Sequence, residues 1–153
     1  MSCAYFLSYH KNSNGPWVGK LYHNQNFKGD FETVYSDYLM FPKMFPSPFP
    51  ATYFSINWSS CFILEKEALV TFLLESDDGS RLFVNGEKVI DNWSVQSRKL
   101  KAGTANLKPG KHLIEVSYFQ GKARSSLVLK SKIGDKEISY FGGNNLKQPK
   151  DCS

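Results

Sequence analysis

No stretch of this chain reaches the about 18 consecutive apolar residues that mark a transmembrane helix, and no segment sustains a capped apolar period of helical spacing. Cysteine is scarce: Cys3, Cys61 and Cys152 stand too far apart for any zinc-ligand spacing. His10, His23 and His112 are equally scattered, so no imidazole metal motif forms. No glycine-rich phosphate loop follows a strand pattern, and no module sets basic and aromatic residues in register for nucleic acid. No local signature gathers a nucleophile, a base and an orienting acid, so an enzyme is not expected. The start, Met1-Ser2-Cys3, lacks a charged segment followed by an apolar one, which gives the expectation that no signal peptide remains.

What is present is an ordinary globular composition. Of 153 residues, 41% are hydrophobic and 22% charged, enough for one self-sufficient domain spanning the whole chain. Aromatic residues reach 15%, which suits strands and ligand-facing loops better than helices. The net charge is +5, with lysines crowding the second half from Lys99 to Lys150. Alternating lysines on the solvent face of a sheet account for that charge; attachment to an acidic polysaccharide, anionic lipid or nucleic acid is the other reading.

Strand and turn patterns run almost throughout. Residues 68–75 are apolar on both faces, as in a central strand covered on both sides. Leu82 and Val84 alternate with Arg81, Phe83 and Asn85, and Asn85-Gly86 predicts a type I′ hairpin returning through Val89-Ile90. Ile114, Val116 and Tyr118 line one face of a further strand, Leu127 and Leu129 one face of the next, and Gly134-Asp135 turns into residues 137–140. Many short strands at this spacing predict an all-β antiparallel sandwich or barrel. Residues 31–53 break the pattern with Pro42, Pro46, Pro48 and Pro50 among Phe41, Phe45 and Phe49. Proline removes a ladder donor, so an irregular loop is expected, its rings either filling a seam of the sandwich or standing out as an aromatic platform. Residues 144–153 read as a frayed tail.

The candidate site is the run Glu75-Ser76-Asp77-Asp78-Gly79-Ser80. Neighbouring strand residues point to opposite faces, so two adjacent acids meet only where the backbone breaks. Paired carboxylates offer hard oxygens to a cation such as Ca²⁺; alternatively, they satisfy the N–H groups of a tight turn. Asp77 and Asp78 sit too close together to flank a glycosidic bond as an acid–base pair.

The central run through Asp91-Asn92-Trp93 resembles the signature of the PA14 family, a β-sandwich module found in adhesins, toxins and inserted domains of glycoside hydrolases. Gly19-Lys20-Leu21-Tyr22 with Asn26-Phe27-Lys28-Gly29, Phe54 to Trp58, Leu107 to His112, Ile114 to Phe119 and Ser126 to Leu129 follow in the family's order, a match over about residues 17–133. The resemblance implies an antiparallel PA14-like β-sandwich, secreted or at a cell surface or in the periplasm. In sugar-binding members it further implies a cis peptide between Asp77 and Asp78, with Ca²⁺ held there and ligating sugar hydroxyls. A second loop, here residues 120–125, would complete such a site. It carries Gln120, Lys122 and Arg124 where sugar-binding relatives supply an Asn, so Gln120 could lend an amide oxygen while Lys122 or Arg124 meets a carboxylate or sulfate of an acidic glycan. Asp91 is a further candidate, reaching the ion loop or making a structural hydrogen bond. Trp58 and Trp93 are expected in the core with their indole N–H groups bonded to carbonyls, and Trp17 is open to being exposed.

Three functions follow: a calcium-assisted carbohydrate-binding module; a non-catalytic protein-interaction or spacer domain of a larger adhesin, toxin or hydrolase, using an apolar patch near Phe41 to Phe49; and charge-driven attachment to acidic polysaccharide. For the cysteines, a Cys3–Cys152 bridge as in some relatives, three free thiols, and a lipidated Cys3 stay open.

Overall fold

The structure, a computed structural model, describes residues 14–47 and 49–153. The chain forms β1 (Trp17–Tyr22), β2 (Glu32–Ser36), β3 (Met40–Phe41), β4 (Phe54–Leu64), β5 (Ala68–Asp77) and β6 (Ser80–Val84). It continues through β7 (Glu87–Asn92), β8 (Lys99–Leu107), β9 (Gly110–Gln120), β10 (Ser126–Ile133), β11 (Ser139–Tyr140) and β12 (Leu146–Lys147). One sheet has the order β2-β1-β4-β9-β6-β7, with β12 beside β4; the other runs β11-β10-β5-β8, with β3 beside β10. All pairings are antiparallel. The expected antiparallel sandwich is what forms.

Alternation drives the packing. Ile56, Trp58 and Phe62 of β4 and Ile114, Val116 and Tyr118 of β9 face Val70, Phe72 and Leu74 of β5 and Leu127 and Leu129 of β10, all buried. Asn85 and Gly86 both take positive φ, as a type I′ hairpin demands. The reading of residues 68–75 as covered on both faces does not hold. Leu69 is 52% exposed, because none of the described residues covers the outer side of the five-stranded sheet there.

The proline-rich segment is less irregular than predicted. Glu32–Ser36 pairs with β1 as an edge strand, and Met40–Phe41 pairs with β10. Its phenylalanines fill a seam: Phe41 stacks on Phe45 at 4.3 Å between centroids, and Phe45 packs on Tyr118 at 5.1 Å. Phe41, Phe45 and Phe49 are buried, so the apolar patch expected of an interaction domain is not displayed there. Trp17 is buried too, while Trp93 is only half-buried. The Trp17 and Trp58 indole nitrogens have no hydrogen-bond partner among the described residues, contrary to the expectation for Trp58.

The C-terminal segment is not frayed. Leu146 and Lys147 pair with β4, a 3₁₀ turn follows over Pro149–Cys152, and Cys152 is bonded to Cys61. This disulfide rules out the expected Cys3–Cys152 bridge and the set of three free thiols. The bridge spans a sequence separation of 91 residues, a constraint on the unfolded chain of about 4–5 kcal/mol in the loop-entropy account. Cys3, and with it the lipidation reading, lies outside the described residues.

Candidate functional site

Three connections cross between the sheets at the same end of the sandwich. Residues 78–79 carry the chain from β5 to β6, residues 93–98 from β7 to β8, and residues 121–125 from β9 to β10. With Lys43, which follows β3, they enclose an open cleft of about 870 Å³. Asp77, Asp78, Gln96, Arg98, Lys122, Arg124 and Ser126 are among its lining.

The two acids share this cleft and differ in their surroundings. The peptide bond joining them is cis. Asp78 is 4% exposed, and each of its oxygens accepts one backbone N–H: Oδ1 from Gln96 at 2.9 Å and Oδ2 from Gly121 at 2.8 Å. One carboxylate thus ties all three crossovers together. The Gln96 amide adds to the lock by donating to Asn92 Oδ1 at 3.1 Å and to the Asp78 carbonyl at 3.2 Å. Close packing demands glycine at 79 and leaves little room at 121. A Cβ on Gly79 would lie 2.3 Å from the Phe119 ring, and one on Gly121 would lie 3.2 Å from Asp78 Oδ2.

Asp77 is half-buried and more open to the cleft. Burial raises its carboxyl above the usual carboxylate range, and the neighbouring Asp78 adds to the rise; Arg124 and Arg98 pull the other way. Its backbone carbonyl accepts the Tyr118 hydroxyl at 2.5 Å. Burial, reinforced by the two aspartates, pushes that phenol upward, so it serves as a neutral donor.

The other expected ligands divide. Lys122 and Arg124 reach the rim of the cleft, exposed. Gln120 does not line it: the side chain is fully buried, its amide donating to the Arg124 carbonyl at 2.7 Å and the Lys122 carbonyl at 3.2 Å. It shapes the loop from beneath instead of offering oxygen to a ligand. Asp91 also stands apart. It pairs across the hairpin with Arg81 at 3.2 Å and with Lys88 at 2.7 Å, and the Lys88 hydrogen bond in particular holds its carboxyl below the usual range. Its side chain makes the structural interaction, not a contact with residues 76–80.

Reading the sequence missed Lys43, Gln96, Arg98 and Ser126. Their segments hold no acid pair or turn motif, and only the crossover topology gathers them. Among the described residues, no cluster of three or more histidine, cysteine or acidic side chains could hold a metal, and no helix is long and apolar enough to cross a membrane.

Comparison with known proteins now bears on this geometry. The sequence profile of the PA14 domain matches residues 12–140. An 88-residue stretch is 33% identical to the anti-sigma-I factor RsgI3 of Acetivibrio thermocellus, covering 56% of this chain and 14% of that protein. The fold superposes on an anti-sigma factor domain-containing protein with a TM-score of 0.77 and 24% identity, over 88% of this chain and 48% of that one. It also superposes on a PA14 sugar-binding domain from an RTX adhesin with a TM-score of 0.72 and 16% identity, over 89% of this chain and 99% of that domain. The chain therefore spans less than half the length of the anti-sigma proteins it matches, and nearly all of the adhesin domain.

Proposed function

We propose that this chain, which belongs to the PA14 domain family, is a carbohydrate-binding module whose ligand seats in the cleft between the three crossovers, assisted by a calcium ion held at Asp77 and Asp78. The observation that carries this reading is the convergence of two carboxylates on an open cleft in a domain that superposes along its length on a sugar-binding relative. The donor chemistry suits a hard divalent cation. Burial and the adjacent Asp78 make the negative charge of Asp77 costly, and a cation offsets both. Calcium takes about six to eight oxygens, so ligand hydroxyls and water would supply those beyond the pair, the carbonyls of residues 122–124 being turned to the Gln120 amide. When bound, the ion would orient vicinal hydroxyls of a sugar by direct ligation.

Binding, not catalysis, is the role this site supports, because adjacent carboxylates have no span across a scissile bond. The Cys61–Cys152 bond favours an oxidising, extracytoplasmic compartment. Tethering within a longer surface protein is consistent with the coverage of the anti-sigma relatives.

A melting experiment tests the proposal. At free calcium a hundredfold above Kd, mass action on the folded state raises the midpoint by about 5–10 °C. EDTA reverses the shift and abolishes glycan binding, and Asp77→Asn removes both effects. Asp77 is the informative position, since Asp78 is already committed to the fold. An unchanged midpoint at millimolar calcium would sink the calcium reading.

A further inference from the structure

The cleft holds more positive charge than an acid-pair site requires. Lys43, Arg98, Lys122 and Arg124 all line it, four cations against the two carboxylates of Asp77 and Asp78. None of the four makes an ion pair with a carboxylate of the described residues. They come from three separate segments, so no single solvated strand face explains their meeting. Arg98 is anchored by donating from Nη2 to the Pro42 carbonyl at 2.6 Å, which orients the guanidinium while its other donors stay available.

Two further observations point to a ligand that brings its own negative charge. Among the described residues the lining holds no aromatic ring to stack on a sugar face, and Val95, 83% exposed, is its one sizeable apolar side chain. Ser126, 3% exposed, lies in the same wall, and its Oγ has no hydrogen-bond partner among the described residues. A buried hydroxyl left unpaired calls for an explanation, and a wall that completes its bonding against a seated polar group provides one.

We infer that this cleft selects glycans bearing an oxyanion on the sugar ring, a uronate carboxylate or a sulfate, with Arg98 and Arg124 as the specificity-determining residues and Lys43 and Lys122 flanking them. The inference rests on the carbohydrate-binding reading and deepens it. Guanidinium groups match planar and tetrahedral oxyanions with paired N–H donors. A calcium ion at the acid pair would leave the rim cations unneutralised and strengthen the demand for an anion. This is a localised seat, distinct from diffuse attraction to the lysine-rich sheet face.

The test is titration calorimetry of the intact chain, in calcium, against matched pairs of oligosaccharides. Galacturonate, mannuronate and hyaluronan oligomers are each compared with their carboxyl-reduced forms, and a keratan sulfate oligomer with its desulfated form. At least one acidic member should bind tenfold or more tighter than its neutral partner, the carboxyl and sulfate arms identifying the group. Arg98→Gln and Arg124→Gln should each erase about tenfold of that preference, with an unchanged melting midpoint verifying the fold. Lys132→Gln and Lys136→Gln, away from the cleft, should leave it intact. Equal binding of acidic and neutral members overturns the inference and leaves the carbohydrate reading standing. Loss of preference on Lys132→Gln or Lys136→Gln overturns it in favour of diffuse charge. Failure of every pair to bind in either form ends both readings.

Discussion

The two ends of this sandwich are closed by different physics. At one end, β6 returns to β7 through Asn85-Gly86 and β10 turns at Gly134, where positive φ values set the turns and the Asn85 side chain adds a tie to β9, accepting the Leu113 N–H at 2.9 Å and donating to His112 Nδ1 at 3.0 Å. At the other, three crossovers change sheets within one small region, and their backbone amides are satisfied by buried side chains, Asp78 above all. Closure by backbone conformation is local and tolerates change at its tips. Closure by a shared carboxylate couples segments distant in sequence, and the cleft exists because of it.

Removing the disulfide should show the largest effect and leave the contrast intact. Cys152→Ser is expected to cost about 2–5 kcal/mol in urea unfolding, loosening the pairing of β12 on β4 while ligand binding in the cleft persists. Loss of binding in that variant would mean that the cleft depends on the C-terminal segment. Next, Asp78→Ala leaves the Gln96 and Gly121 N–H groups without their acceptor, an expected loss of about 3 kcal/mol. At the hairpin end, Gly86→Ala should cost only about 1 kcal/mol. Equal losses would break the distinction between the two ends.

The smallest expected effect separates the neighbouring acids. The Asp77 carboxyl is raised in the folded state, by burial first and Asp78 second. Between the ordinary carboxylate value and the raised one, the folded chain keeps a proton that the unfolded chain has released. Its contribution is therefore fully present at low pH and is lost as pH climbs through the raised value. In calcium-free buffer, Asp77→Asn should flatten that decline and match or slightly exceed wild-type stability near neutrality. A destabilised Asp77→Asn would show that both acids serve the fold.

Much of this architecture could be read from residues alone, because strands and hairpins announce themselves through alternation and turn chemistry. Val116 and Tyr118 point inward as their spacing requires, and Asn85-Gly86 turns as its φ preferences dictate. The acid pair was legible for the same reason: two adjacent aspartates conflict with strand geometry. Arg98 and Lys43 were not, since a lone cation carries no signal until folding brings it beside others. Gln120 misled because its amide suited a ligand, yet it turned beneath its own loop, while of the two readings open for Asp91 the structural one holds, its carboxylate meeting cations across the hairpin. Trp17, Cys152 and the last residues depended on long-range docking, which no local pattern encodes.

Because the knot at Asp78 grips main-chain N–H groups, it constrains few of the crossover side chains beyond Gln96 and Gly79. Val95, Ser97, Lys122 and Ala123 project beyond it, exposed. A scaffold of this kind permits its outermost positions to be exchanged wholesale for new recognition chemistry, much as an interchangeable tool head rides on a fixed collar.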